Sequence, residues 1–148
     1  MESNEEKVFV GQSKIEGFGL FTKITFKKGD VVLNWNPQNK YLLNEKIDKL
    51  SDSEKNYVVI HEKKNLLIAE PERYMNHSCD PNTETRENGI DYALREIFIN
   101  EEITGDYEKE RTLIGFKCNC GSKRCRGIIH SHQSSSNVPP LNRRAGVH

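Results

Sequence analysis

Four cysteines carry the plainest chemistry in this 148-residue chain. Cys118, Cys120 and Cys125 fall within Cys118-Asn119-Cys120-Gly121-Ser122-Lys123-Arg124-Cys125, and Cys79 lies far upstream. Four thiolates are what a closed tetrahedral zinc site needs. Gly121 frees the backbone to wrap three sulfurs around one ion. Lys117, Lys123, Arg124 and Arg126 would offset the negative charge of a four-thiolate zinc centre. The competing reading is a set of reduced free thiols, although so polar a run makes a poor hydrophobic core. Spacing alone does not join Cys79 to the other three; the count does.

Three further segments hold reactive or ligand-binding side chains. Arg73-Tyr74-Met75-Asn76-His77-Ser78-Cys79-Asp80-Pro81-Asn82 packs an amide, an imidazole and a thiol between an arginine and a proline-bounded turn. Taken singly, Asn76 reads as a turn residue and His77 as a satisfied core histidine. Asn100-Glu101-Glu102-Ile103-Thr104-Gly105-Asp106-Tyr107 ends on a tyrosine that, alone, would be a packing aromatic with its hydroxyl bonded nearby. Gly17-Phe18-Gly19 is a glycine pair through which backbone can approach a ligand, but it lacks the helix that follows a dinucleotide-binding turn.

The elements that must position these residues read as short strands. Val8-Phe9-Val10, Gly19-Leu20-Phe21 and Val31 to Trp35 come first, with Lys28-Gly29-Asp30 as a turn before the third. Asn44 to Ser53 has Leu42, Leu43, Ile47 and Leu50 at roughly helical spacing and is the best helix candidate. Tyr57 to His61 and Asn65 to Ala69 flank the charged turn Glu62-Lys63-Lys64 and predict a hairpin. Tyr92 to Ile97 follows the Glu87-Asn88-Gly89 turn as another strand. Many short strands with little helix predict a mostly β fold of small curved sheets. Residues 1–6 read as a flexible leader. From His130 to His148 a Ser-, Asn-, Pro- and Arg-rich composition without apolar periodicity predicts a disordered tail, with Arg143-Arg144 as its one candidate partner contact.

Basic and acidic residues balance at 22 each, which gives no global attraction to nucleic acid or anionic membrane. No apolar stretch reaches membrane-spanning length, and the polar start lacks a signal-peptide layout, so an intracellular setting is expected. There, an even cysteine count suggests metal before disulfides.

Together the four segments, in this order, resemble the SET domain of protein lysine methyltransferases followed by its cysteine-rich post-SET segment. The resemblance covers roughly residues 7–129, divided into a SET domain over 7–115 and a post-SET segment over 116–129, and rests most heavily on Asn76-His77-Ser78-Cys79-Asp80-Pro81-Asn82. It implies a β-clip-like fold with a knot-like core that brings Asn76, His77 and Tyr107 together around S-adenosylmethionine. Gly17, Phe18 and Gly19 would approach the cofactor's methionine part, and Arg73, Asn76 and His77 would line the rest of its pocket. Zinc held by Cys79, Cys118, Cys120 and Cys125, with Phe116 before them, would close the segment over the adenine and complete a lysine channel. Tyr107 would be the catalytic residue beside the methyl and sulfur, and Tyr57, by position, a second aromatic wall of the channel. The partner implied is a protein that presents a lysine as an extended peptide, a histone or another basic protein.

Some positions depart from the family pattern. Gly105 stands where many relatives carry a bulky Phe or Tyr, which leaves room for di- or trimethylation. Glu16 replaces a frequent Arg, Glu96 a common Asp and Asn100 a common Gly. The alternative function is a catalytically inactive SET-fold module that binds cofactor or peptide. A purely structural zinc protein would leave Asn76, His77 and Tyr107 without a role.

Overall fold

The computed structural model describes residues 3–110 and 112–131. Its strands, in chain order, are β1 (Val8–Gln12), β2 (Phe18–Thr22), β3 (Val31–Leu33), β4 (Lys40–Leu42), β5 (Val58–His61), β6 (Lys64–Leu67), β7 (Asn76–His77), β8 (Thr83–Thr85), β9 (Asp91–Ala93), β10 (Glu102–Gly105), β11 (Phe116–Lys117) and β12 (Ile128–Ile129). They form sheets in the orders β1-β2-β10-β7, β3-β9-β8 and β4-β6-β5, with β11 and β12 as a separate pair. The α-helices among the described residues are single turns: α1 (Asn4–Lys7), α2 (Asn44–Ile47) and α3 (Asp52–Lys55). No helix there is long and apolar enough to cross a membrane. The mostly β expectation therefore holds.

The hairpin expected over 57–69 forms as β5 and β6, joined by a two-residue turn. Glu62 and Lys63 both take positive φ, 52° and 64°, as a type I′ turn requires. Lys64 accordingly belongs to the strand. Ile68 still donates its N–H to the Tyr57 carbonyl in ladder register (2.9 Å), and the chain turns away at Ala69, whose N–H donates to Asn39 Oδ1 (2.7 Å).

Other boundaries differ for local reasons. The leader expected over 1–6 is helical from Asn4. The Asn4 side chain exchanges hydrogen bonds with the Asn34 backbone (Nδ2 to O 3.1 Å, N to Oδ1 2.9 Å), and Glu6 accepts from the Ser3 N–H at 3.3 Å. The same Asn34 contact ends β3 at Leu33, short of Trp35. The helix expected over 44–53 is broken in two, because Ser51 is an N-cap whose hydroxyl accepts from the Glu54 N–H (3.1 Å). The strand expected over 92–97 ends at Ala93, with the Leu94 N–H still donating to the Asn82 carbonyl in β8–β9 register, and Ile97 forms an isolated bridge with Phe26. Apart from His130 and Ser131, the expected tail, including Arg143-Arg144, lies outside the described residues, as do Met1 and Glu2 of the leader.

Two apolar clusters hold these elements. Leu20, Phe26, Val32, Leu33, Ile97 and Ile103 are central to the larger. Tyr107, Phe116, Cys118 and Ile129 form the smaller, with Cys79 and Cys120 packed against it. Between them, β7 lies parallel to β10, with Asn76 opposite Thr104 and His77 opposite Gly105. Asn82, 1% exposed, splints this arrangement. Its Oδ1 accepts from the Thr104 N–H (2.9 Å), and its Nδ2 donates to the Glu102 carbonyl (2.8 Å) and to Glu101 Oε2 (3.2 Å). Removing one partner of buried hydrogen bonds costs more than the bonds' net worth, because the other partners stay dry and unpaired. Asn82→Ala is therefore expected to lower unfolding free energy by about 3 kcal/mol, read from the urea midpoint.

Candidate functional site

Asn76 places the glycine turn. Its Nδ2 lies 3.0 Å from the carbonyls of Glu16 and Phe18 and 3.0 Å from Glu102 Oε2. The Glu102 carboxylate in turn accepts from the Ser13 hydroxyl at 2.8 Å. Gly17 has a φ of 30°, and a Cβ on Gly19 would lie 2.3 Å from Glu102 Oε2. The turn is thus glycine-dependent at both ends and tied to β7 by one amide. Phe18 between them is exposed.

His77 and Tyr107 meet one strand position further on. The Tyr107 N–H donates to His77 Nδ1 (3.0 Å), so Nδ1 is unprotonated and the neutral ring carries its hydrogen on Nε2. That nitrogen faces Cys79 Sγ at 3.2 Å. The His77, Tyr107 and Phe116 rings form an edge-to-face triangle with centroids 5.5–5.7 Å apart, the geometry that ring quadrupoles favour. The buried Tyr107 hydroxyl donates to the Met75 carbonyl.

On the other side of Tyr107 is a cavity of about 510 Å³ lined in part by Tyr57, Arg73, Met75, Asp91, Tyr107 and Glu110. Arg73 donates from Nε and Nη2 to the Ile68 carbonyl (3.1 and 3.0 Å), and its guanidinium lies 4.8 Å from the centre of the Tyr57 ring. Of the residues singled out in the sequence, Tyr57, Arg73 and Tyr107 line this cavity. Gly17, Phe18, Gly19, Asn76, His77 and Phe116 lie outside its lining. Tyr107 belongs to both groups.

Gly105 carries no side chain, and the space is not empty. A Cβ there would lie 3.0 Å from Met75 Sδ and 3.0–3.1 Å from the Glu110 carboxylate oxygens. Glu110 accepts from the Thr85 hydroxyl (3.0 Å), which also bonds Asp91. Nothing in the local sequence marks Glu110 or Glu102, since their partners Thr85 and Ser13 lie 25 and 89 residues away.

The four cysteines converge. Their Sγ atoms all lie within 4.8 Å of one another, and Cys79 and Cys118 are 3.8 Å apart. A tetrahedral centre with zinc–sulfur bonds of about 2.3 Å has sulfurs about 3.8 Å apart, so this donor set fits a zinc ion. Cys120 Sγ accepts from the Cys79 N–H (3.5 Å). Burial pushes the Cys118 thiol up; at Cys120 the same effect is outweighed by N–H donors, which draw it down to about 7. Positive φ at Gly121 (78°) and Gly127 (79°) lets the segment double back.

Asp91 supplies a pH signature. Burial, resisted by the Thr85 hydroxyl and reinforced by Glu72, raises its carboxyl to about 7. A raised carboxyl favours the folded state while protonated, so its contribution is full below about pH 4 and lost as pH climbs through 7. Wild type should therefore lose on the order of 2–4 kcal/mol between pH 4 and 8 relative to Asp91→Asn, compared by denaturant melts.

This architecture has known counterparts. The sequence profile of the SET domain matches residues 17–108. Human histone-lysine N-methyltransferase 2B is 29% identical over 145 residues, 87% of this chain. The H3 lysine-4 specific histone-lysine N-methyltransferase of Schizosaccharomyces pombe is 26% identical over 153 residues, 88% of this chain. The chain spans only 5% and 16% of those two proteins. A crystal structure of a Plasmodium falciparum protein described as a histone methyltransferase superposes with a TM-score of 0.58 at 23% identity, over 72% of this chain and 95% of that one, a likeness of fold. The profile runs from the glycine turn through Tyr107, and on that match the chain belongs to the SET domain family.

Proposed function

We propose that this chain is an S-adenosylmethionine-dependent protein-lysine N-methyltransferase whose substrate is a histone or another basic protein. The observation that carries the reading is Tyr107, which is shared between the aromatic triangle and the cavity and is held at both its N–H and its hydroxyl. The relatives' names favour a histone substrate, and with it a chromatin setting inside the cell. The SET domain would run over 7–115 and the cysteine segment over 116–129.

The residues around the glycine turn fit the cofactor. Gly17 turns the backbone at positive φ, exposed Phe18 offers an apolar face, and Phe116 would close the aromatic side. Asn76 and His77 would act by holding the turn and Tyr107 in place, and Arg73 would frame the pocket from the Tyr57 side. When bound, the cofactor supplies a sulfonium methyl that is already electrophilic. The protein then has to align a lysine nitrogen with it and exclude water. The nitrogen must be neutral, against a reference pKa of about 10.4, and burial between Tyr57 and Tyr107 lowers that value. Tyr107 needs no proton of its own for this. Its hydroxyl hydrogen is engaged by the Met75 carbonyl, so its oxygen would keep lone pairs free for weak C–H···O contacts with a bound methyl donor.

The test is methyl transfer from labelled cofactor to a panel of histones and other basic proteins, with Tyr107→Phe alongside. Wild type should yield methyllysine, and the mutant should be slower by roughly 100-fold, as for loss of a positioned transition-state contact. Cofactor binding without transfer would favour the inactive module, and no cofactor binding would overturn the proposal. The same spectra count methyl groups. The place left by Gly105 is met by the flexible ends of the Met75 and Glu110 side chains, so di- or trimethyllysine is expected and a strictly monomethyl product would count against it.

For the cysteines, native mass spectrometry should find one zinc per chain. Cys120→Ser should lose it, and chelation should lower the melting temperature of wild type but not of that variant.

A further inference from the structure

Arg126 joins the thiol cluster to the segment that carries Tyr107. Its guanidinium makes three contacts in three directions. Nη2 pairs with Asp106 Oδ1 at 2.9 Å, Nη1 with Glu108 Oε1 at 3.2 Å, and Nε donates to Cys79 Sγ at 3.4 Å. Its backbone N–H donates to the same sulfur at 3.3 Å. Asp106 and Glu108 are the two residues on either side of Tyr107. The Asp106 side chain is only 8% exposed, and its Oδ1 also accepts from the Glu108 N–H at 3.1 Å.

A second route starts from the same sulfur. His77 Nε2 lies against Cys79 Sγ, and His77 Nδ1 accepts the Tyr107 N–H. One sulfur therefore fixes the tyrosine's backbone through an imidazole and its two neighbours through a guanidinium. The backbone after Tyr107 is tied locally, by the Glu110 N–H to the Asp106 carbonyl (3.0 Å) and the Thr112 N–H to the Tyr107 carbonyl (3.1 Å), whereas the link to the cysteine segment runs through the Arg126 side chain.

We infer that Arg126 is a positioning residue for Tyr107: its planar fork fastens Asp106 and Glu108 to Cys79, so that a metal-ordered C-terminal segment sets where the tyrosine stands. The inference rests on the methyltransferase reading only for its effect on rate. A bare charge-balancing role would be filled equally well by lysine. The fork would not, because an ammonium cannot present fixed donors to three anions in one plane.

The experiment compares the full zinc-loaded chain with Arg126→Lys, Arg126→Ala and Asp106→Asn. Zinc content, amide hydrogen exchange of the peptide spanning 105–108, and kcat and KM for a protein substrate are measured. All three variants should keep one zinc per chain and exchange that peptide about 10-fold faster or more, as local opening becomes easier. kcat should fall roughly 10- to 100-fold with KM little changed, the signature of a misplaced catalytic group. Unchanged exchange in Arg126→Ala and Asp106→Asn, or full recovery of both readouts by lysine, would overturn the inference. If no form transfers methyl groups, the methyltransferase reading fails, and the exchange data alone still decide whether Arg126 places Tyr107.

Discussion

Two rungs of parallel ladder, Asn76 beside Thr104 and His77 beside Gly105, are the contact on which the site depends. A parallel pair cannot be closed by a tight turn, and so short a ladder has little stability of its own. Buried amides supply what the ladder lacks. Asn82 stitches β10 to the residues that follow β7, while Asn76 reaches back 58 and 60 residues to the glycine turn. Each is satisfied within the protein, which is the condition under which a buried polar group specifies a structure rather than weakening it.

Around that contact the molecule is divided by one aromatic ring. Tyr107 packs edge-to-face on His77 and Phe116 on one side and borders the cavity on the other. The apolar side keeps it rigid. The cavity side carries two carboxyl groups, Asp91 and Glu110, linked through the Thr85 hydroxyl. A ring held at its backbone, its hydroxyl and both edges has little freedom to move out of line.

Much of this was legible in the sequence where the signal was local or carried by a motif. The β5–β6 hairpin shows as apolar runs around a charged turn, and the Asn76–Asn82 run marks the centre of the fold. The missing parts depend on distance in sequence. Asn4 reads as a polar leader residue because its partner, Asn34, is 30 positions away. Ser51 was visible in principle, since Ser51 and Glu54 form a capping box, but the apolar spacing across it suggested one continuous helix. Arg126 looked like one of several cations near the cysteines; its distinction is a reach of 47 residues to Cys79. Glu110 is marked only by the glycine whose place it fills.

The split of the thiol cluster has a consequence for how the protein is made. Cys79 precedes Cys118 by 39 residues, and at about 5–20 residues per second a ribosome needs roughly 2–8 s to cover that interval. Over those seconds Cys79 stands as a lone thiol, and β7 waits for the strand it will lie against. Assembly of the tyrosine's surroundings therefore waits until the segment carrying Cys118 to Arg126 has been made. Until then Cys79 lacks the three thiols that converge on it in the fold, and oxidants or stray soft metal ions meet it alone.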